Sequence, residues 1–435
     1  MIAHLELAVT FLLFLGLLGA GMAVPFAILV PALAYLYMQG GVAAFSGIGL
    51  TSWGSMNSYT LTAIPLFILM AECIQASGLG YRVYGGLARL FRRMPGGLIQ
   101  TNLIGCALFA AVSGSSIATA AAVGNVALPQ LSARRYDRKL STGSLAAGGT
   151  LGILFPPSIA LIVYGTFTET SVAKLFMAGV VPGVLLTTLF VIYVAVRALM
   201  RPELVEAPDE TPTRFAILVR ALCDVLPLGL LVGGVLGAIY AGLATPTEAA
   251  AVGCVAALVI CRVFATLTWQ TLATSLRRAT LIVGNIIFIT YAAYIFSYAM
   301  TFAGVGEEIT SFIVGMHLSK PQFFIALLIL YTVLGALIES LGMIVITVPL
   351  LAPVLQSYGI DPVWFGVVVV MFIEMGQITP PIGINLFVIQ SISKGSITEV
   401  VQGTIPFHLI MFVLLALLMA FPQIALWLPT RMIGA

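Results

Sequence analysis

Apolar residues in this chain come in long blocks, not in the alternating pattern of a strand or the one-sided stripe of a surface helix. A block of roughly 20 such residues spans a hydrocarbon core about 30 Å thick. Ten blocks qualify as crossings: residues 6–20, 22–38, 59–76, 140–167, 175–199, 225–243, 246–264, 280–302, 363–391 and 401–428. Two more, 97–131 and 322–356, are interrupted by small polar residues or glycine at 113–116 and 339–342. Their arms hold roughly 15 residues, which reach only about 22 Å at the helical rise. Such arms cannot cross, so the pattern predicts two re-entrant helical hairpins in an all-α polytopic membrane protein.

Composition agrees. Of 435 residues, 60% are hydrophobic and 8% are charged, against roughly a quarter charged in soluble proteins. The net charge of +3 leaves no footprint for nucleic acid. The cysteines, Cys73, Cys106, Cys223, Cys254 and Cys261, form no CxxC pair and read as small core residues. The first apolar run, 5–37, is too long for a signal-peptide core and is expected to remain as two crossings.

Cytoplasmic loops collect Lys and Arg. Threading ten crossings and two hairpins puts sixteen basic residues on one side and only Lys174, Lys320 and Arg431 on the other. The amino terminus is therefore expected outside, with the first hairpin entering from the cytoplasm and the second from outside. Segments 81–93 and 272–278 look amphipathic enough to lie at the cytoplasmic interface.

A shift of 224 residues brings Ser116 onto Ser340, Pro129 onto Pro353, Asp137 onto Asp361, Gly152 onto Gly376, Pro156 and Pro157 onto Pro380 and Pro381, and Pro182 onto Pro406. Each half holds three helices, a hairpin and two helices. Five crossings is an odd number, so the second copy starts on the opposite face and the repeat is inverted. Inverted repeats with broken helices mark secondary transporters that bind substrate and ions near the midplane.

The chemistry follows from the breaks. Two consecutive prolines, in TLGILFPPS and in EMGQITPPIGIN, remove backbone donors and force unwinding. Carbonyls exposed at 152–155, with the hydroxyls of Ser113, Ser115 or Ser116, offer hard oxygen ligands to a cation such as Na⁺. A second set would use carbonyls around Gly342 and Gly376 with the Thr379 hydroxyl. Helices restarting at each tip and after each Pro-Pro point their amino ends inward, where N–H groups and the dipole favour an anion. No midplane Arg or Lys is evident, so an anionic substrate is expected to rely on these ends and on bound cations. Ser116, Thr119, Ser340, Met343, Gln377 and Asn385 are the candidate substrate contacts. No cofactor is expected.

Several residues read more simply. Glu248 in TPTEAA reads as a capping partner of Thr245. Glu339 and Glu374 flank the expected cavity, whereas Glu72 ties scaffold helices together. His4, His317 and His408 are isolated. An intramembrane enzyme lacks support, with no HExxH and no base near Ser115 or Ser116, and a passive channel fits poorly with two blind hairpins.

The strings SGSSIATAAAVG, LGILFPPSIALIVYG, LFMAGVVPG, ATPTEAA, GMIVITVPLLAPVL and EMGQITPPIGINLFVIQ resemble the large membrane subunit of tripartite ATP-independent periplasmic (TRAP) transporters over essentially the whole chain. Ile117 stands where many members carry a proline. The resemblance implies a bacterial inner-membrane carrier that imports carboxylated or sulfonated organic acids on a sodium gradient by an elevator mechanism. It also implies two partners, a small four-helix membrane subunit and a periplasmic binding protein that delivers substrate. Carried over by motif, one sodium site takes Ser113, Gly114, Ser115 and Ser116 with Gly152, Phe155 and Pro156; the other takes Glu339 and Gly342 with Gly376, Thr379 and Pro380. Residues 1–96 and 200–320 would then be scaffold, and 97–199 and 321–435 the moving transport domain. The competing reading is a stand-alone sodium-coupled carboxylate carrier of the same architecture.

Overall fold

A computed structural model describes residues 2–205 and 215–432. Arg214, counted above among the cytoplasmic bases, and part of the 200–320 loop lie outside the described residues, as does the side chain of His4. The described residues form helices and turns, with no strand.

The first half holds α1 (Ile2–Gly19), α2 (Val24–Gly40), α3 (Ile48–Met56), α4 (Ala63–Ala76), α5 (Leu79–Phe91), α6 (Leu98–Ser113), α7 (Ser116–Ala133), α8 (Arg138–Leu154), α9 (Ile159–Phe167) and α10 (Val172–Met200). The second holds α11 (Phe215–Tyr240), α12 (Pro246–Phe264), α13 (Trp269–Phe302), α14 (Val305–Gly315), α15 (Lys320–Gly335), α16 (Ser340–Ser357), α17 (Pro362–Gln377), α18 (Ile384–Ser393), α19 (Ile397–Ala420) and α20 (Gln423–Met432). A shift of 224 residues carries α7 onto α16 end for end and brings α8 onto α17 and α9 onto α18 to within two residues. Asp137 and Asp361, paired by that shift, both cap their helices by accepting backbone N–H groups. The repeat is thus a repeat of structure.

Among the described residues seven helical runs are long and apolar enough to cross a membrane, one of them being α2 with α3, or nine if each of two bent pairs is one span. Ten crossings were expected, and the differences are specific. The segment 140–167 is two helices, α8 and α9, bent by 41° at the Pro156–Pro157 break. The segment 363–391 is likewise split into α17 and α18 around Pro380–Pro381, each too short to span alone. At 18 residues α16 is long enough to span, although it was read as a hairpin arm.

Two further expectations need correction. Residues 272–278 are no separate interfacial piece but the start of the 34-residue helix α13; the repeat counterpart of α5 is α14. Cys223 is exposed on the outer face of α11, while the other four cysteines are buried as expected.

Packing falls into two groups of contacts. Helix α4 lies against α12 and α13 and α2 against α13, while α8 is wrapped by α6, α7, α18 and α19. The α8–α19 crossing is a backbone contact, because Gly143 and Gly403 lie face to face and a Cβ on Gly403 would collide with the Lys139 carbonyl. Small residues at such crossings let helices approach closely where no hydrophobic force drives them together. Between the groups runs α5, turned 71° from α4 at Gly78. Gly86 seats it on α11 against the Ala221 carbonyl, and Asp224 of α11 binds Arg82 Nε at 2.6 Å and the Arg89 guanidinium.

Candidate functional site

The first hairpin closes on itself. Gly114 ends α6 with φ of 58°, a left-handed conformation open to glycine at little cost. A Cβ there would lie 2.8 Å from the Pro157 carbonyl oxygen, so the tip rests directly on the first Pro-Pro break. Ser115 caps α7 by accepting the Ala118 N–H. Ser113 and Thr119 share a hydroxyl hydrogen bond of 2.6 Å, so Thr119 fastens the hairpin and is fully buried. Gly152 lies under the tip, where a Cβ would collide with the Ser115 carbonyl. Pro156 is buried, and the Phe155 ring packs on Gly183. The residues proposed for the first sodium site are therefore neighbours.

Ser116 faces the other half of the chain. Its hydroxyl stands 3.0 and 2.9 Å from the two carboxylate oxygens of Glu374 on α17 and 3.2 Å from the Gly149 carbonyl. It accepts a 2.9 Å hydrogen bond from Asn385 Nδ2 on α18. A serine hydroxyl has one proton to donate, so it serves one of these acceptors at a time and leaves the others in want of a donor. Ser116, Glu374, Gln377 and Asn385 are all buried. Asn385 Oδ1 and both polar atoms of the Gln377 amide have no hydrogen-bond partner. Buried polar groups are nearly always satisfied, so this cluster has spare capacity for a ligand. Among the described residues no Lys or Arg is buried beside it.

The second hairpin is arranged differently. Gly335 at the end of α15 packs on Gly376 and Gln377, and the Tyr331 carbonyl also meets Gly376. Gly342, expected beside Gly376, lies one turn into α16 against Ile338 and Val24. The Thr379 hydroxyl donates to the Met375 carbonyl at 2.6 Å. Glu339 sits at the start of α16 without capping it. Ser340 is half-buried; Met343 is fully buried and its carbonyl accepts from Thr347. Pro380 and Pro381 are exposed where Pro156 and Pro157 are buried.

Helix starts show the same asymmetry. Ser115 and Ser158 cap α7 and α9 with their own hydroxyls, whereas α16 and α18 begin without a side-chain cap. Their first N–H groups remain available, and a helix start is a natural anion site. The start of α18, at Gly383 to Asn385, carries the unsatisfied Asn385 amide.

Sequence reasoning placed Glu374 at the cavity edge but did not list it as a ligand, and it missed Gly149 and Gly335. Glu374 was recognisable as a carboxylate inside an apolar run. Nothing in the sequence singles out the two glycines, because their role is a contact with a distant helix.

A sequence model of the family described as "Tripartite ATP-independent periplasmic transporter, DctM component" matches residues 10–424. The chain belongs to that family. This DctM-family chain is 30% identical to the C4-dicarboxylate TRAP transporter large permease protein DctM of Vibrio cholerae, over 99% of each chain. It is 31% identical to the ectoine TRAP transporter large permease protein TeaC of Halomonas elongata, over 95% of this chain and 96% of that one. Among solved structures it resembles the YdaH transporter of Alcanivorax borkumensis with a TM-score of 0.66, covering 96% of this chain and 99% of that one at 15% identity. That likeness bears on the fold alone. The DctM-family assignment makes the chain a multi-pass large permease subunit.

Proposed function

We propose that this large permease subunit imports an organic acid, a carboxylate or sulfonate, across the bacterial inner membrane on a sodium gradient. The observation that carries the proposal is the buried cluster of Ser116, Glu374, Gln377 and Asn385, with unpartnered amide atoms beside the uncapped start of α18. An anion there meets N–H donors but no cationic side chain. It calls for bound cations, which the carbonyls and hydroxyls at 113–116 with 152–156, and at 339–342 with 376–380, are suited to hold. The amino terminus is placed outside, on the side opposite the basic loops. The helices of 97–199 and 321–435 move as an elevator against those of 1–96 and 200–320, with both hairpins re-entrant and the two halves inverted. A periplasmic binding protein delivers the acid and a small four-helix membrane subunit completes the scaffold, as the family's tripartite name suggests.

Proteoliposomes holding this chain with both partners should accumulate a cognate acid under an inward Na⁺ gradient; uptake unchanged in choline would end the coupling claim. Uptake by this chain alone would favour the stand-alone carrier. Ser115→Ala and Thr379→Val should each raise the Na⁺ concentration for half-maximal uptake while leaving assembly intact, and unchanged sodium dependence in both would refute the ligand sets.

A further inference from the structure

Where α5 meets α11 there is an open cavity of about 620 Å³ lined by Tyr81, Arg82, Gly85, Arg89, Arg220 and Asp224. Three guanidinium groups face one carboxylate. Asp224 engages Arg82 and Arg89, and Arg82 also donates to the Phe264 carbonyl at 2.7 Å. Among the described residues Arg220 makes no hydrogen bond or ion pair. The cavity therefore keeps an excess of positive charge and unused N–H donors.

Its place in the fold says what can reach it. Arg220 lies near the start of the apolar helix α11, on the side where the basic loops gather. Further along the same flank Leu226 and Leu230 are exposed, at 46% and 64%, with Cys223 between them and Arg220. Tyr81, exposed at the rim, is a side chain suited to the membrane interface. A basic, donor-rich cavity at headgroup depth that opens onto an apolar helix face has the two-part chemistry of a phospholipid.

We propose that Arg220 binds the headgroup phosphate of an anionic phospholipid whose acyl chains lie along Leu226 and Leu230 of α11. Asp224 holds Arg89 in position and keeps the site from repelling itself. Because α5 joins α4 to the first hairpin, the lipid fills the joint on which that hairpin is hung.

The test uses the complex with both membrane subunits, taken from bilayers of phosphatidylethanolamine with or without phosphatidylglycerol, and counts retained lipids by native mass spectrometry. Retention of phosphatidylglycerol over phosphatidylethanolamine is expected. Arg220→Gln should weaken it roughly fivefold, as expected for one basic side chain near an anionic surface, while Arg220→Lys keeps most of it. Excess inorganic phosphate should fail to displace the lipid, since the apolar flank contributes binding that free phosphate cannot use. Equal retention of both lipids, full retention by Arg220→Gln, or displacement by phosphate would each overturn the proposal. Loss of the small subunit from Arg220→Gln with lipid retention intact would also overturn it and assign the arginines to a protein partner.

Discussion

At the residue scale, the site depends on which hydroxyl or amide has no partner within its own helix. Ser113, Ser115 and Thr379 all satisfy their hydroxyls locally, whereas Ser116, Glu374 and Asn385 bond one another across distant segments and leave Asn385 Oδ1 unmatched. Asn385→Leu keeps approximate volume but removes the donor to Ser116, and leaving buried partners unmatched costs about 1–3 kcal/mol. The variant should melt at a lower temperature in detergent and lose uptake, while Asn125→Leu, whose amide only returns to the Ala121 carbonyl at an exposed position, should do neither. Gly152→Ala puts a methyl against the Ser115 carbonyl, a backbone atom that cannot swing aside. Overpacking of this kind costs about 1–3 kcal/mol and should lower both the melting temperature and the sodium affinity. Gly229→Ala on α11, where a Cβ meets nothing within 4 Å, is the matched control and should be neutral or slightly stabilising.

At the element scale, helix starts were the most legible features. The capping box of Thr245 and Glu248 is present as read from TPTEAA, with the Thr245 N–H donating to Glu248 Oε2 at 2.8 Å. Thr245→Ala should cost about 1 kcal/mol and speed amide exchange in the first turn of α12. The Pro-Pro breaks were equally legible, because a missing donor and a restricted preceding residue act locally wherever the chain runs. Less legible was the direction taken after a break: the 71° turn at Gly78 and the continuity of α13 depend on what each segment packs against. Asp224, overlooked as one acid among apolar residues, fixes α5 through two arginines. Their side chains are 45% and 40% exposed, so solvent screens the pairs and Asp224→Asn should cost no more than about 1 kcal/mol. Its clearer effect should be faster amide exchange along α5, with α8 unchanged.

At the scale of the whole molecule, the repeat could be read from landmarks alone because the spacing of 224 is kept from α5 to α19 without slippage. The unequal use of its two copies could not, since it arises from contacts between halves: a buried break against an exposed one, and capped helix starts against open ones. The proposed topology has a direct test. In a chain with exposed Cys223 changed to Ser, a cysteine at Lys320 should react with an impermeant maleimide from the periplasm, and one at Lys394 only after the membrane is opened. The reverse pattern would invert the molecule and both hairpins with it.

The bracket around Ser116 bears on how such a chain came to be. Under the repeat, the counterparts of Glu374 and Asn385 are Thr150 and Leu161, and that of Ser116 is Ser340. The Thr150 hydroxyl turns back to the Ala147 carbonyl and Leu161 has nothing to donate, so no second bracket forms. If the halves descend from one duplicated segment, as their register suggests, a symmetric pair of ancestors would have held two brackets or none. Fusion into one chain let each copy specialise, and replacing the second half with a copy of the first would now put Thr150 and Leu161 in the places of Glu374 and Asn385 and remove the cluster.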